Sequence, residues 1–304
     1  MGLIDVHCHL VALPAEDNGC LVSKKMIEGP LGRLVAWQLG LPIDRPAEAN
    51  RLFVDNLLKA LGESKRVSQA VLLGLDGVYD ETGRLDEGKT PMLVSNDAVF
   101  AACARSGGKL LPGVSVNPAR RDAVDELERC AQMGAVLVKV LPNAQNFDPA
   151  QARFKEFYRV LAKHRLPLLS HIGEEFSVHS ADQTVGNPER LRLALDEGAP
   201  VIAAHGCSSG RFISQPHLPV MLEMVKRYPL FYSDLSAMTL PNRASMLLHL
   251  RKHPEVFDRL LYATDWPLVV FWPGANYFDR QAAAMDAAGV RMGADPAKVL
   301  RLPK

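Results

Sequence analysis

Residues 3–9 read LIDVHCH, a short apolar run that closes on two histidines. Leu3, Ile4 and Val6 mark it as a buried strand. Residues two apart in a strand share a face. His7 and His9 therefore project together, with Asp5 expected behind them on that face. Two imidazoles side by side are costly to bury without partners. Either each bonds to backbone, or the pair is half of a metal site, since neutral imidazole is a common transition-metal ligand. The rest of the chain has to decide.

Seven further runs follow the same plan, apolar with a polar C-terminal end: 69–76, 110–118, 135–142, 166–171, 200–205, 230–236 and 260–267. Continuous apolar runs of this kind suit strands covered on both faces. Between them lie helical patterns at 49–63, 96–107, 121–134, 150–164, 188–197, 218–228, 241–252 and 276–288. Eight strands alternating with about eight helices predict one (β/α)8 TIM barrel over residues 1–304. A doubly wound sheet would carry a Gly-rich phosphate turn after its first strand. Here that turn is replaced by His7 and His9. The spacing is broken only by 10–48, a Pro- and Gly-rich insertion after strand 1 with one amphipathic segment at 30–41. On a barrel it would sit above the C-terminal face, as a lid or as inert decoration.

The 35 basic and 34 acidic residues nearly cancel, so nothing in the balance favours nucleic acid or an anionic membrane as partner. No apolar stretch is long enough to span a bilayer. The N-terminus lacks the pattern of a signal peptide. Five cysteines, an odd count without a C-x-x-C, fit a reducing, cytoplasmic setting better than a disulfide framework.

Barrel enzymes place their chemistry where strands end. Four of the nine histidines fall at those ends: His7 and His9 on strand 1, His171 on strand 5 and His205 on strand 6. Lys139 lies on strand 4 and Asp265 ends strand 8. His164, His179, His217, His249 and His253 read as surface or loop groups, with His179 near enough in sequence to reach the site. Three or four imidazoles and a carboxylate make a ligand sphere for a borderline divalent ion: zinc first, with manganese or iron as alternatives. With an open position, such an ion brings the pKa of bound water towards ~7.

These motifs, DVHCH (5–9), SH (170–171) with Gly173, AAHG (203–206) and ATDWP (263–267), together with the terminal DPAKVLRL (295–302), resemble the amidohydrolase superfamily. The nearest likeness is to its amidohydrolase-related (amidohydrolase 2) branch, which holds hydrolases, lactonases and non-oxidative decarboxylases. The resemblance implies that His7, His9, His171 and Asp265 hold a metal, with one or two ions per chain. His205 would bind a second ion or stay unligated to orient water or polarise substrate. Asp265 would act as general base and then acid, which makes Asp265 and His205 the catalytic pair. A homodimer is a family-level expectation.

Lys139 has three readings: a carboxylated bridge between two ions, a cation for an anionic substrate, or a rim ion pair. Substrate contacts are also assigned to Glu175, Asn143, Arg211 and Trp272. Other polar strand-end groups, Asp76, Asn117, Gln145, Asn146, Glu174, Asp234 and Ser236, either contact substrate or cap the next helix, with capping the expected role. The sequence thus predicts a metal-dependent hydrolase of a small-molecule amide, lactone or ester. A lyase removing CO2 from an aromatic or unsaturated acid is the alternative. A TatD-like nuclease ranks below both, because Lys139 stands where that branch usually has glutamate and the charge offers no phosphate-binding signature.

Overall fold

The structure is a computed structural model and describes residues 2–15 and 18–303. Eight parallel strands form one sheet in chain order. They are β1 (Leu3–His9), β2 (Val67–Leu73), β3 (Leu110–Ser115), β4 (Leu137–Val140), β5 (Leu168–Ser170), β6 (Val201–Ala203), β7 (Phe231–Asp234) and β8 (Leu260–Leu261). The last strand meets the first through Val6 N–H to Tyr262 O, Asp265 N–H to His7 O and His9 N–H to Trp266 O. The expected barrel is therefore the fold.

Its interior is filled by one apolar cluster: Ile4, Val6, Val71, Leu73, Leu137, Leu169, Ile202 and Leu261 are all buried there. The two-residue period carries the same faces upward. Lys139 follows Leu137, His171 follows Leu169, and Asp265 follows Leu261 by way of Ala263. Polar groups at these steps form the layer above the apolar plug. The strands are shorter than the apolar runs suggested, because the chain leaves the ladder as soon as it reaches this layer.

Strand β1 departs from simple alternation. Asp5 pairs with Ala70 but Cys8 with Leu72, so one strand spends an extra residue and a bulge lies between them. Bulges re-aim side chains beside functional sites. Without it, Val6 and Cys8 would share the interior face. With it, Val6 faces the plug, whereas Cys8 packs in the outer cluster with Phe53, Leu57 and Phe278. Asp5 is consequently not behind the two histidines. Its carboxylate accepts from the His7 N–H at 2.9 Å and the Thr264 hydroxyl at 2.5 Å, which satisfies the bulge and ties β1 to the β8 end.

The insertion is more structured than one amphipathic segment. Leu21–Val22 pairs antiparallel with Met92–Leu93, and helices Lys24–Glu28 and Pro30–Leu39 follow. Residues 16 and 17, within the same insertion, lie outside the described residues. Among the described residues no helix is long and apolar enough to cross a membrane, and the five cysteines are unpaired.

Candidate metal centre

Four histidines and two aspartates meet at the barrel mouth. His7 Nε2 lies 3.1 Å from His9 Nε2, and Asp265 Oδ1 lies 3.5 Å and 3.3 Å from these two atoms. All three ligand atoms fall within 4.8 Å of one another. His7 Nδ1 is 2.8 Å from Asp234 Oδ2. A proton on Nδ1 in that bond leaves Nε2 as a bare lone pair, facing a second imidazole and an ionised carboxylate. Lys139 Nζ lies 3.1 Å from the same Nε2 and can donate to it; the three donor atoms converging from His7, His9 and Asp265 also fit a divalent ion. A second close group, His7, His205 and Asp234, shares His7. Asp234 there is the hydrogen-bond acceptor that orients a ligating ring, a recurrent support for metal-binding histidine.

Asp234 does more than cap a helix. Its Oδ1 accepts from the Ser236 hydroxyl at 2.5 Å and from the backbone N–H of His205 and Ser236, both at 3.0 Å. Ser236 Oγ is in turn 2.8 Å from His205 Nδ1. One buried carboxylate thus positions both His7 and His205. His205 and Asp265 each take a left-handed backbone conformation, with φ of 60° and 70°. Such conformations cost roughly 1–3 kcal/mol in a non-glycine residue and cluster at functional sites.

His171 joins His205 rather than the three-ligand cluster. Its Nδ1 lies 3.1 Å from His205 Nε2 and 3.4 Å from Glu175 Oε2. Its Nε2 is buried with no hydrogen-bond partner among the described residues, which leaves that atom available to a ligand. The expected four-ligand set is therefore gathered in one place, but with His171 at its edge.

Electrostatics suit neutral imidazoles around an ionised acid. Burial, then the charge of Lys139, lowers the pKa of His7. Burial and then Arg243 push His171 and His205 well below the ordinary histidine value. Burial alone would raise Asp265, but His7, His9 and Lys139 hold it well below the usual carboxylate range. Lys139 itself is lowered to about 8, mainly by burial.

Above the cluster opens a cavity of about 480 Å³. His9, His171, His205 and Asp265 form its floor, and Glu175 stands on its wall. Met26, Leu31, Val35 and other apolar insertion residues line the opposite side.

Several expected substrate contacts fall elsewhere. Lys139 is fully buried beneath the site, its Nζ 3.1 Å from His7 Nε2, and is absent from the wall. The Asn143 amide is used to hold the loop after β5, donating to Gln183 Oε1 at 2.9 Å and Gly173 O at 3.3 Å. Arg211 is exposed and paired with Glu174 at 2.7 Å. Trp272 lies outside the cavity, and its neighbour Phe271 lines it instead. His179 is exposed and away from the wall. Arg243 was not anticipated. It is buried and reaches the wall from the turn that precedes helix Ser245–Leu250.

Solved structures align with nearly the whole chain. A TIM-barrel protein from Bordetella bronchiseptica does so at 16% identity and a TM-score of 0.65, over 99% of this chain and 98% of its own. A 2,6-dihydroxybenzoate decarboxylase in complex with 2,6-dihydroxybenzoate gives 16% identity and 0.60, over 99% of each chain. A dihydroxybenzoic acid decarboxylase from Polaromonas sp., with bound manganese and 2-nitroresorcinol, gives 15% and 0.60, over 100% of this chain and 98% of its own. At these identities the likeness is one of fold. No curated protein matches the chain. The amidohydrolase family model matches residues 4–301, and the chain belongs to that family.

Proposed function

We propose that this protein is a metal-dependent non-oxidative decarboxylase of an aromatic or unsaturated carboxylic acid. The observation that carries the reading is the placement of His205. It stands on the cavity floor outside the His7–His9–Asp265 triad, although it shares a second close group with His7 and Asp234; its Nδ1 is held by Ser236 and its Nε2 lies 3.1 Å from His171 Nδ1, a partner with which it can share a proton. The decarboxylases among the fold neighbours support the same choice over hydrolysis.

His7, His9 and Asp265 would hold the ion, with His171 at its margin and Asp234 orienting His7. When bound, a divalent ion supplies a Lewis acid that draws electron density from a substrate oxygen. Manganese, present in the Polaromonas neighbour, is the first choice of ion, ahead of zinc. The C–CO2 bond breaks with its electron pair left on carbon, and His205 Nε2, having first taken up a proton from solvent, delivers it to that carbon. Burial and Arg243 lower the pKa of the ring, so its protonated form is sparse but gives its proton up readily. Asp265, 3.9 Å from His205, offsets the charge of the protonated ring. The insertion acts as a lid whose apolar residues keep bulk water from the floor. That wall offers little to a phosphodiester, so the nuclease reading is set aside.

Hydrolysis is the second reading, and one observation favours it. Lys139 sits 3.1 Å from His7 with a lowered pKa, and a neutral amine is the form that takes up CO2 to become a bridging carbamate. The test is CO2 release from a panel of substituted benzoates by manganese-loaded protein. Release that stops on chelation and in His205→Asn supports the lyase. Absence of release across the panel, with ester or lactone cleavage instead, overturns it.

A further inference from the structure

The cavity is polar at one end only. Leu10, Met26, Leu31, Val35, Leu268 and Phe271 contribute its apolar side. Among the described residues on its wall, Arg243 is the one lysine or arginine. This guanidinium is only 5% exposed. It donates to Ile172 O at 3.3 Å, Ser208 O at 3.2 Å and Glu174 O at 3.5 Å. Arginine has five N–H donors, and these three bonds are long and all go to neutral carbonyls. Among the described residues no carboxylate lies within 4.0 Å of it, and Glu175 and then Asp265, on the same wall, offset its charge only from farther away. A buried charge is expensive unless paired, and this one faces the space where a ligand would sit.

We infer that Arg243 anchors the carboxylate of a substrate that is apolar apart from the oxygen offered to the ion and whose apolar body lies against the insertion, which makes the substrate class a largely apolar monocarboxylic acid. The inference rests on reading the cavity as the active site. One cation in the wall serves one anionic group, and a second carboxylate would meet either the apolar surface or the acids Glu174, Glu175 and Asp265 that share the wall. The contact is one of ground-state binding, so its loss appears in KM rather than in kcat. The three carbonyl bonds explain how the side chain is held in place, since they span the loops after β5 and β6.

The test is binding, read by calorimetry, of 4-alkylbenzoates and the matching 4-alkylbenzamides to manganese-loaded and to chelator-stripped protein. The expected result is tighter binding of the benzoates in both forms, with affinity rising about 3–4-fold per added methylene. Arg243→Met should weaken benzoates by roughly 10–100-fold, leave benzamides unchanged and keep the chain-length dependence. Arg243→Lys should retain part of the preference, and replaces the methionine variant if that variant fails to fold. Val35→Asp should abolish the chain-length dependence while the benzoate preference remains. Equal binding of acid and amide overturns the inference. So does a preference that survives Arg243→Met, or one that disappears from wild type on removing the metal, which would make the ion the anchor. Binding needs no turnover. If the 4-alkylbenzoates bind as expected but the substituted benzoate panel never loses CO2, the decarboxylase reading fails and the role of Arg243 stands.

Discussion

Asp234 Oδ2 lies 2.8 Å from His7 Nδ1, although 227 residues separate the two in the chain. The same carboxylate binds the hydroxyl of Ser236, which holds His205. A single acid on β7 therefore sets the orientation of one candidate ligand and of the candidate proton donor. Asp234→Asn keeps the shape but loses the charge and permits the wrong ring tautomer. Metal affinity should fall by about 10–100-fold, with little change in Tm. Competitive titration against a chelator checks this, and unchanged affinity would remove Asp234 from the account.

His205 is assigned to proton transfer and not to the metal. His205→Asn should therefore retain its metal, measured by elemental analysis after dialysis, while turnover drops by roughly 100-fold or more. His9→Asn should lose metal and turnover together. If His205→Asn also loses the ion, His205 belongs to the ligand set and the mechanism needs another acid.

Gly173 fixes the loop that carries Glu175. Its φ is +88°, and a Cβ there would collide with the Ser208 carbonyl and the Ser209 backbone of the loop after β6. Neither loop can retreat cheaply, because Glu174 N–H bonds Ser209 O at 2.9 Å and Gly173 N–H bonds Gly186 O at 2.9 Å. Gly173→Ala should cost about 2–4 kcal/mol and weaken ligand binding in whatever fraction still folds. Urea titration gives the first number. A loss below half a kcal/mol would contradict the tight-contact argument.

Asp279 gives a pH-dependent contribution to stability far from the site. Burial pushes its carboxyl up, but the Ser64 hydroxyl, at 2.5 Å, and the N–H groups of Lys65 and Arg66 more than compensate and hold it low. A folded-state value below the unfolded one stabilises the protein above the unfolded pKa of ~4. That contribution is lost as pH falls through the folded value. Asp279→Asn should lower stability by roughly 1–2 kcal/mol at neutral pH and flatten the fall below pH 4. A wild-type profile that is already flat there would refute the assignment.

The barrel was legible because its signals are local. Apolar runs with polar ends mark the strands, and His7, His9, His171, His205 and Asp265 sit at those ends as read. The bulge at Asp5–Cys8 was not legible, because alternation counts residues and cannot see that one of them will be spent unpaired. Asp234 looked like a cap, since its true partner is 227 residues away and only barrel closure brings His7 to it. Arg243 lay inside 241–252, a segment that reads as one more helix between strands. Its burial follows from the turn before Ser245 and from carbonyls on two other loops. Arg211 failed for the converse reason: an arginine after a catalytic-looking strand is as easily claimed by a neighbouring acid, here Glu174.

Decarboxylation and hydrolysis separate by where solvent atoms go. Manganese-loaded protein would be incubated with the substituted benzoate panel in a mixture of deuterated and oxygen-18 water, and products read by mass spectrometry. Decarboxylation leaves one solvent deuterium on the carbon that has lost CO2 and no oxygen-18 in the organic product, and this is the expected result. Oxygen-18 in a newly formed acid, from esters or lactones in the same assay and with the benzoates untouched, would contradict it and return the site to hydrolysis.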